Sequence, residues 1–281
     1  MVSSPPVAMP VAQPSPELKI QYQTHSLPQV TIHSLQIPVQ AFQVIPVLVD
    51  GVADVADLVR QFGAIAAING GFFDPVNQKS TSYVTQQGKL VAEPHHNERL
   101  MENPDLVPYL PKILNRSEFR RYRCGSVFRY EIARHRDPSP PDCQLIDALG
   151  GGPRLLPDNT AEQEGFVDFA NGTLVRDAIG SHQPNARSAI GITDRGDILL
   201  VMAAQKPEGA GLSLPDLAAF MKTLGVTQAM NLDGGTSSAL YFENKTLYGK
   251  LNEAGQPTGR PVKSVLLVQP VEKGGGEGVD G

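Results

Sequence analysis

The chain has 281 residues, and 24 lysines and arginines against 29 aspartates and glutamates leave a formal net charge of −5. At 41% hydrophobic and 19% charged residues it has the apolar material for a sizeable core and too little charge for a disordered polymer. A mild acidic balance spread along the sequence argues against nucleic acid or anionic membrane as a partner, and no apolar run approaches the roughly 18 residues of a membrane span.

With 27 glycines, 24 prolines and no tryptophan, turns and short strands should outnumber helices. The expected fold is α+β: a single domain over residues 19–270, with a mixed, largely antiparallel twisted sheet flanked by helices. Residues 1–16 hold five prolines and no charge, lack the basic start and unbroken apolar stretch of a secretory signal, and read as part of a disordered arm, 1–18. Residues 271–281 read as a flexible Gly-rich tail.

In chain order, apolar alternation predicts opening strands at VTIHSLQI (30–37) and FQVIPVLV (42–49), where Pro46 favours an edge or bulge. Val52, Val55, Leu58, Val59 and Phe62 recur at helical spacing, with Gly63 suited to the position after the helix end. A buried strand, AIAAIN, follows. Gly88 and the DRGD sequence at 194–197 each place a turn between apolar runs and predict hairpins. Ser213, Pro215 and Asp216 mark the start of a second helix that Gly225 ends. VTQAMN, SSALYF and VKSVLLVQ complete the strands. GAIAAIN (63–69) aligns without gaps on GVTQAMN (225–231), each after a helix and before a Gly-Gly sequence. If both units share one sheet, Asn69 and Asn231 arrive at the same sheet edge.

Residues 93–142 differ in composition, with a His95-His96 pair and eight arginines between Arg99 and Arg136, and read as an excursion from the sheet core. Arg120, Arg121 and Arg123 beside Tyr122 fit a solvated charged face, with an anion-binding lid as the alternative. The histidine pair fits a surface position, since adjacent side chains diverge and no third metal ligand is suitably spaced. Cys124 and Cys143 form no CxxC motif. They are either one disulfide, contributing on the order of 3 kcal/mol by closing its loop, or two separate thiols.

Four segments concentrate Gly with Asn, Asp and Arg: INGGFFDP (68–75), LGGGPRLLP (149–157), NARSAIG (185–191) and NLDGGTSSAL (231–240). Glycine pairs after a strand let bare backbone approach a ligand and turn N–H groups toward an anion, and Arg187 offers a two-pronged donor for phosphate or carboxylate. No Walker, Rossmann, GxSxG or HExxH pattern occurs.

These blocks, in the forms NGGFF, GGGPRLL, RSAIGI and LDGGTSS, resemble the phosphodiester glycosidase family over about residues 44–268. Ala186, Ser188 and Thr236 depart from the Pro, Thr and Gly usual there. The resemblance implies a hydrolase that cleaves the glycosidic bond of a sugar-1-phosphodiester and releases sugar and a phosphate monoester, with a sugar-phosphate or polysaccharide substrate and no cofactor or metal. Its setting would be periplasmic or extracellular. Such chemistry needs a carboxylate as base or nucleophile, for which Asp233 and Asp74 are candidates. It needs a charge clamp, for which Arg187 stands with the amides of Gly70, Gly71, Gly151, Gly152, Gly234 and Gly235. Asn69 and Asn231 would meet sugar hydroxyls. Plainer alternatives are an Asp-Pro turn for Asp74, an Asx turn for Asp233 and a structural ion pair for Arg187. The competing function is non-catalytic binding of cell-envelope or exopolysaccharide sugar phosphates.

Overall fold

The computed structural model describes residues 18–207 and 209–271; the expected arm and tail lie outside them apart from Leu18 and Val271. The one expected sheet is three. A six-stranded sheet runs in the order Gln21–Leu27, Val30–Ile37, Ile198–Gln205, Arg187–Thr193, Val226–Asn231, Arg154–Leu156. A five-stranded sheet runs Lys245–Tyr248, Ala239–Phe242, Ala66–Asn69, Val262–Pro270, Phe42–Ala53, and another runs Lys89–Ala92, Val84–Gln86, Cys143–Gly150, Ser117–Cys124, Val127–Arg134. Two short ribbons, Val167–Ala170 with Thr173–Asp177 and Lys250–Leu251 with Pro257–Thr258, complete the strands. Every pairing among the described residues is antiparallel, so the parallel component of the expectation is absent there.

Period-two alternation explains the layering. In the six-stranded sheet Leu35, Ile190, Leu200 and Met230 face a central core shared with Ile68 and Leu266 of the second sheet and Phe119 and Leu149 of the third. Their neighbours Ile32, Ala189, Val201 and Ala229 face the opposite way, under Leu214, Leu217 and Met221 of the helix Leu214–Thr223. The second sheet is backed in the same manner by Val55, Leu58 and Val59 of the helix Val55–Gln61. No helix is long and apolar enough to cross a membrane among the described residues.

The local signals locate both helices. Ser213 accepts the Asp216 amide hydrogen at one N-terminus, and Gly63 and Gly225 take positive φ just beyond the two C-terminal caps. Both predicted hairpins form, at Gly88 and Gly196, and Pro46 lies on an edge strand. The strand Gln21–Leu27 escapes sequence reading because it is mostly exposed at a sheet edge and carries little apolar patterning.

Residues 93–142 are not an excursion from the core. The strands Ser117–Cys124 and Val127–Arg134 belong to the third sheet and send Phe119 and Ile132 into the central core. Arg120 and Arg121 are buried instead of solvated: Arg120 pairs with Glu118 at 2.9 Å and Arg121 with Asp147 at 2.6 Å. Cys124 and Cys143, partners across two adjacent strands, are joined in a disulfide.

Candidate functional site

Asn69 and Asn231 end strands of different sheets, so the shared-sheet argument fails, yet the two strand ends converge. Asn69 does so by bonding across the sheets. Its amide donates to the Asp233 carbonyl at 2.7 Å, and its Oδ1 accepts the Ser188 hydroxyl at 2.7 Å and the Ala239 amide at 3.1 Å. It is buried, both its polar atoms are committed to the protein, and it does not line the cleft, so nothing is left for a sugar hydroxyl. Asn231 sits opposite Ala189 on the neighbouring strand, and alternation places it on the same face as Arg187. Its Nδ2 donates to Gly152 O at 2.9 Å, while its buried Oδ1 has no hydrogen-bond partner.

Asn231 and Arg187 line a cleft of about 180 Å³ with Asp233, Gly234, Gly235 and Asn185, walled by Phe72 and Ile179. That is below the roughly 300–1,000 Å³ of pockets for drug-sized ligands and suits one small ring. A larger hollow of about 430 Å³, lined by Gln21, Gln36, Arg195 and Asp197, lies at the far end of the six-stranded sheet. It has none of the four glycine-rich blocks on its walls.

Arg187 is 3% exposed. Its Nε donates to Leu212 O at 3.1 Å, Nη1 to Ile179 O at 3.0 Å, and Nη2 to the carbonyls of Gly180 and Gln183. Four of its N–H groups are thereby committed to backbone, which leaves one on Nη1 and rules out a bidentate grip on a ligand. No carboxylate lies within 4 Å of it among the described residues. Burial lowers its pKa to about 10, partly offset by the charge of Asp177. A structural ion pair is thus not what holds Arg187.

Asp233 follows the strand Val226–Asn231, with its amide bonded to Gly70 O at 3.0 Å. One carboxylate oxygen accepts the Gly234 amide at 2.9 Å, the turn bond expected of Asp before Gly, and the other accepts Arg260 Nη2 at 3.2 Å. Burial pushes its pKa up, against the opposing pull of the Ser237 hydroxyl, Arg260 and the Gly234 amide. Arg260, not singled out by sequence reasoning, also donates Nε to Ser237 Oγ at 2.8 Å and lies over the Phe73 ring. The available signal was an isolated Arg-Pro just ahead of the last apolar strand.

The glycine amides expected to face an anion are bonded within the protein. Gly70 donates to Ser264 O, Gly71 to Ser264 Oγ, Gly151 to Ser117 O, Gly152 to Asn231 O, Gly234 to Asp233 and Gly235 to Ala186 O. Close packing explains these residues better. A Cβ on Gly71 would collide with the Gly150 carbonyl, and one on Gly152, at φ 100°, with the Glu164 carboxylate.

Asp74 lies apart from the cleft, in a turn where its carboxylate accepts the Val76 amide at 2.8 Å and Arg99 Nε at 2.7 Å. It lines a separate groove with Thr81 and Leu106. Burial works to raise its pKa, but the Val76 amide and Arg99 prevail and hold it below the usual carboxylate value. Its surroundings are those of the Asp-Pro turn.

The chain is 26% identical over 208 residues to mouse N-acetylglucosamine-1-phosphodiester alpha-N-acetylglucosaminidase, a match covering 69% of this chain and 35% of that protein. It therefore spans about a third of that relative's length. The fold is similar to the zebrafish N-acetylglucosamine-1-phosphodiester alpha-N-acetylglucosaminidase catalytic domain auto-inhibited by its pro-peptide. The TM-score is 0.66 at 18% identity, over 89% of this chain and 82% of that one. A hypothetical protein from Synechocystis has the fold too, at a TM-score of 0.58 and 18% identity, over 89% of this chain and 61% of that one. The sequence profile of the phosphodiester glycosidases matches residues 62–269, which takes in all four glycine-rich blocks, Asp233 and Arg260, and the chain belongs to the phosphodiester glycosidase family.

Proposed function

We propose that the chain hydrolyses the glycosidic bond of a sugar-1-phosphodiester at the Asp233 cleft. The observation that carries this reading is that one small cleft brings together a buried carboxylate, its pKa raised, and a buried arginine that no carboxylate among the described residues touches. An anionic substrate suits the cationic surroundings of this carboxylate, Arg187 in the cleft wall and Arg260 beside it. In the reaction the bond from C1 to the phosphate oxygen breaks, its electron pair leaves with the phosphate monoester, and positive charge develops on the sugar ring. A phosphate monoester is a far better leaving group than an alcohol, so the second carboxylic acid of ordinary glycosidases is dispensable. Asp233, the one carboxylate lining this cleft among the described residues, either takes the proton of the water attacking C1 or attacks C1 itself. The unpartnered Oδ1 of Asn231 is suited to accept a sugar hydroxyl, and Arg187 supplies one N–H and a positive field. Asn69 is in this reading a positioning residue that holds the Asp233 backbone.

The test is turnover of a panel of sugar-1-phosphodiesters in 18O-labelled water. Glycosidic cleavage puts the label on the sugar C1 hydroxyl and none in the phosphate. Label in the phosphate makes the chain a phosphodiesterase, and sugar binding without turnover makes it a binder of envelope or exopolysaccharide sugar phosphates.

A further inference from the structure

We infer that the phosphate of the substrate is held by Arg260 and Lys250 at the lip of the cleft, not by Arg187; this rests on the glycosidase reading. The donor inventory of Arg187 motivates the change: only one Nη1–H is left to offer a ligand, where a phosphate grip uses two parallel donors.

Arg260 has the opposite arrangement. Nε and Nη2 are tied to Ser237 Oγ and Asp233 Oδ2, its plane rests over Phe73 at 4.8 Å, and its backbone amide donates to Thr236 O at 3.0 Å. Nη1 has no protein acceptor among the described residues, and the side chain is 35% exposed. The guanidinium is thus pre-oriented with donors to spare, at low entropic cost for a ligand. It also touches the carboxylate that would do the chemistry, so a phosphate on its outer edge is placed beside Asp233 with a cation between the two anions.

Lys250 joins it from the ribbon Lys250–Leu251, which Thr258 and Pro257 pair just before Arg260. The preceding Gly249 is fastened to the same turn, its amide donating to Ser238 O at 2.8 Å. The ammonium donates to Asn185 Oδ1, a cleft residue, at 3.2 Å, and no carboxylate lies within 4 Å of it among the described residues. Two cations, Lys250 bonded among the described residues only to a neutral amide oxygen and Arg260 with Nη1 unused, therefore meet the cleft through Asn185 and Asp233. Their shared chemistry is recognition of a phosphate monoester or diester. After cleavage the same subsite retains the product, so the phosphate monoester is a competitive inhibitor.

The experiment titrates the full chain with inorganic phosphate by calorimetry, comparing wild type with Arg260→Met, Lys250→Met and, as a control cation at the turn end of the preceding hairpin, Lys245→Met. Each of the first two variants should weaken phosphate binding by about 10- to 100-fold, the range for losing a hydrogen bond to a charged group, and Lys245→Met should leave it unchanged. Because Arg260→Met also disturbs Asp233, Lys250→Met is the cleaner variant; it should raise KM more than it lowers kcat. Unaltered phosphate binding in both variants, equal loss in the control, or no saturable binding by wild type overturns the inference. Glycosidic turnover with unaltered phosphate binding defeats the subsite alone. Lost phosphate binding in an enzyme that cleaves no diester defeats the glycosidase reading alone.

Discussion

Buried arginines occur in two regions of this molecule under different electrostatic terms. In the third sheet, Arg120 and Arg121 each face a carboxylate at 2.9 Å or less, and Arg121 adds Gln43 Oε1 at 2.7 Å. In the cleft, Arg187 faces backbone carbonyl oxygens, and Asp233, the one carboxylate lining it among the described residues, is held above its ordinary pKa although Arg260 lies 3.2 Å away. A buried cation answered by a carboxylate serves the fold, whereas one answered only by neutral carbonyl oxygens marks a place where a ligand completes the electrostatics.

The largest expected effect tests the compensated side. Arg121→Met strands the Asp147 carboxylate, which is 3% exposed, without its cation. Breaking a buried pair in this way costs about 3–5 kcal/mol, read as a lower denaturant midpoint, while kcat of the folded fraction stays unchanged. A silent Arg121→Met would dissolve the distinction between the regions.

The next effect is in the cleft. Asp233→Asn keeps an oxygen to accept the Gly234 amide and so preserves the turn, but removes the charge. If Asp233 is base or nucleophile, kcat falls by about 100-fold or more, measured in steady-state kinetics on whichever diester turns over. A near-normal rate would reduce Asp233 to a turn residue.

How far these regions were legible beforehand follows from the range of the forces involved. Helix ends and hairpins were readable because Ser213, Gly225, Gly88 and Gly196 act on backbone within a few residues. The division into three sheets was not, because it depends on pairings such as Leu240 with Ile68 that join distant sequence. Three of the four glycine blocks contribute residues to the cleft wall, but their closest-packed glycines have another cause: Gly71 and Gly152 admit neighbouring protein, not a ligand. In SEFRRYRC, the two-residue spacing of Glu118 and Arg120 puts both on one strand face, a signal hidden by reading the arginines as one run. Arg260 was missed because its partners, Asp233 and Ser237, precede it by more than twenty residues.

The smallest effect, and the most discriminating, is the pH dependence of Asp233. Its carboxyl titrates above the ordinary value of 3.8 because burial disfavours the charged form more than Ser237, Arg260 and the Gly234 amide favour it. A carboxyl of this kind holds its proton more tightly folded than unfolded, so its contribution to stability is most favourable below the unfolded pKa and declines as pH rises through the folded one. Activity that needs the ionised carboxylate runs the other way and rises through the same interval. Asp233→Asn should remove both trends. As pH rises above the ordinary carboxyl value of 3.8 the stability of the variant relative to wild type should increase, read from denaturant midpoints at several pH values, and the acidic limb of kcat/KM should vanish from any residual rate. Were wild type to gain on the variant with rising pH instead, Arg260 would outweigh burial, and Asp233 would join Asp147 among the compensated charges that serve the fold.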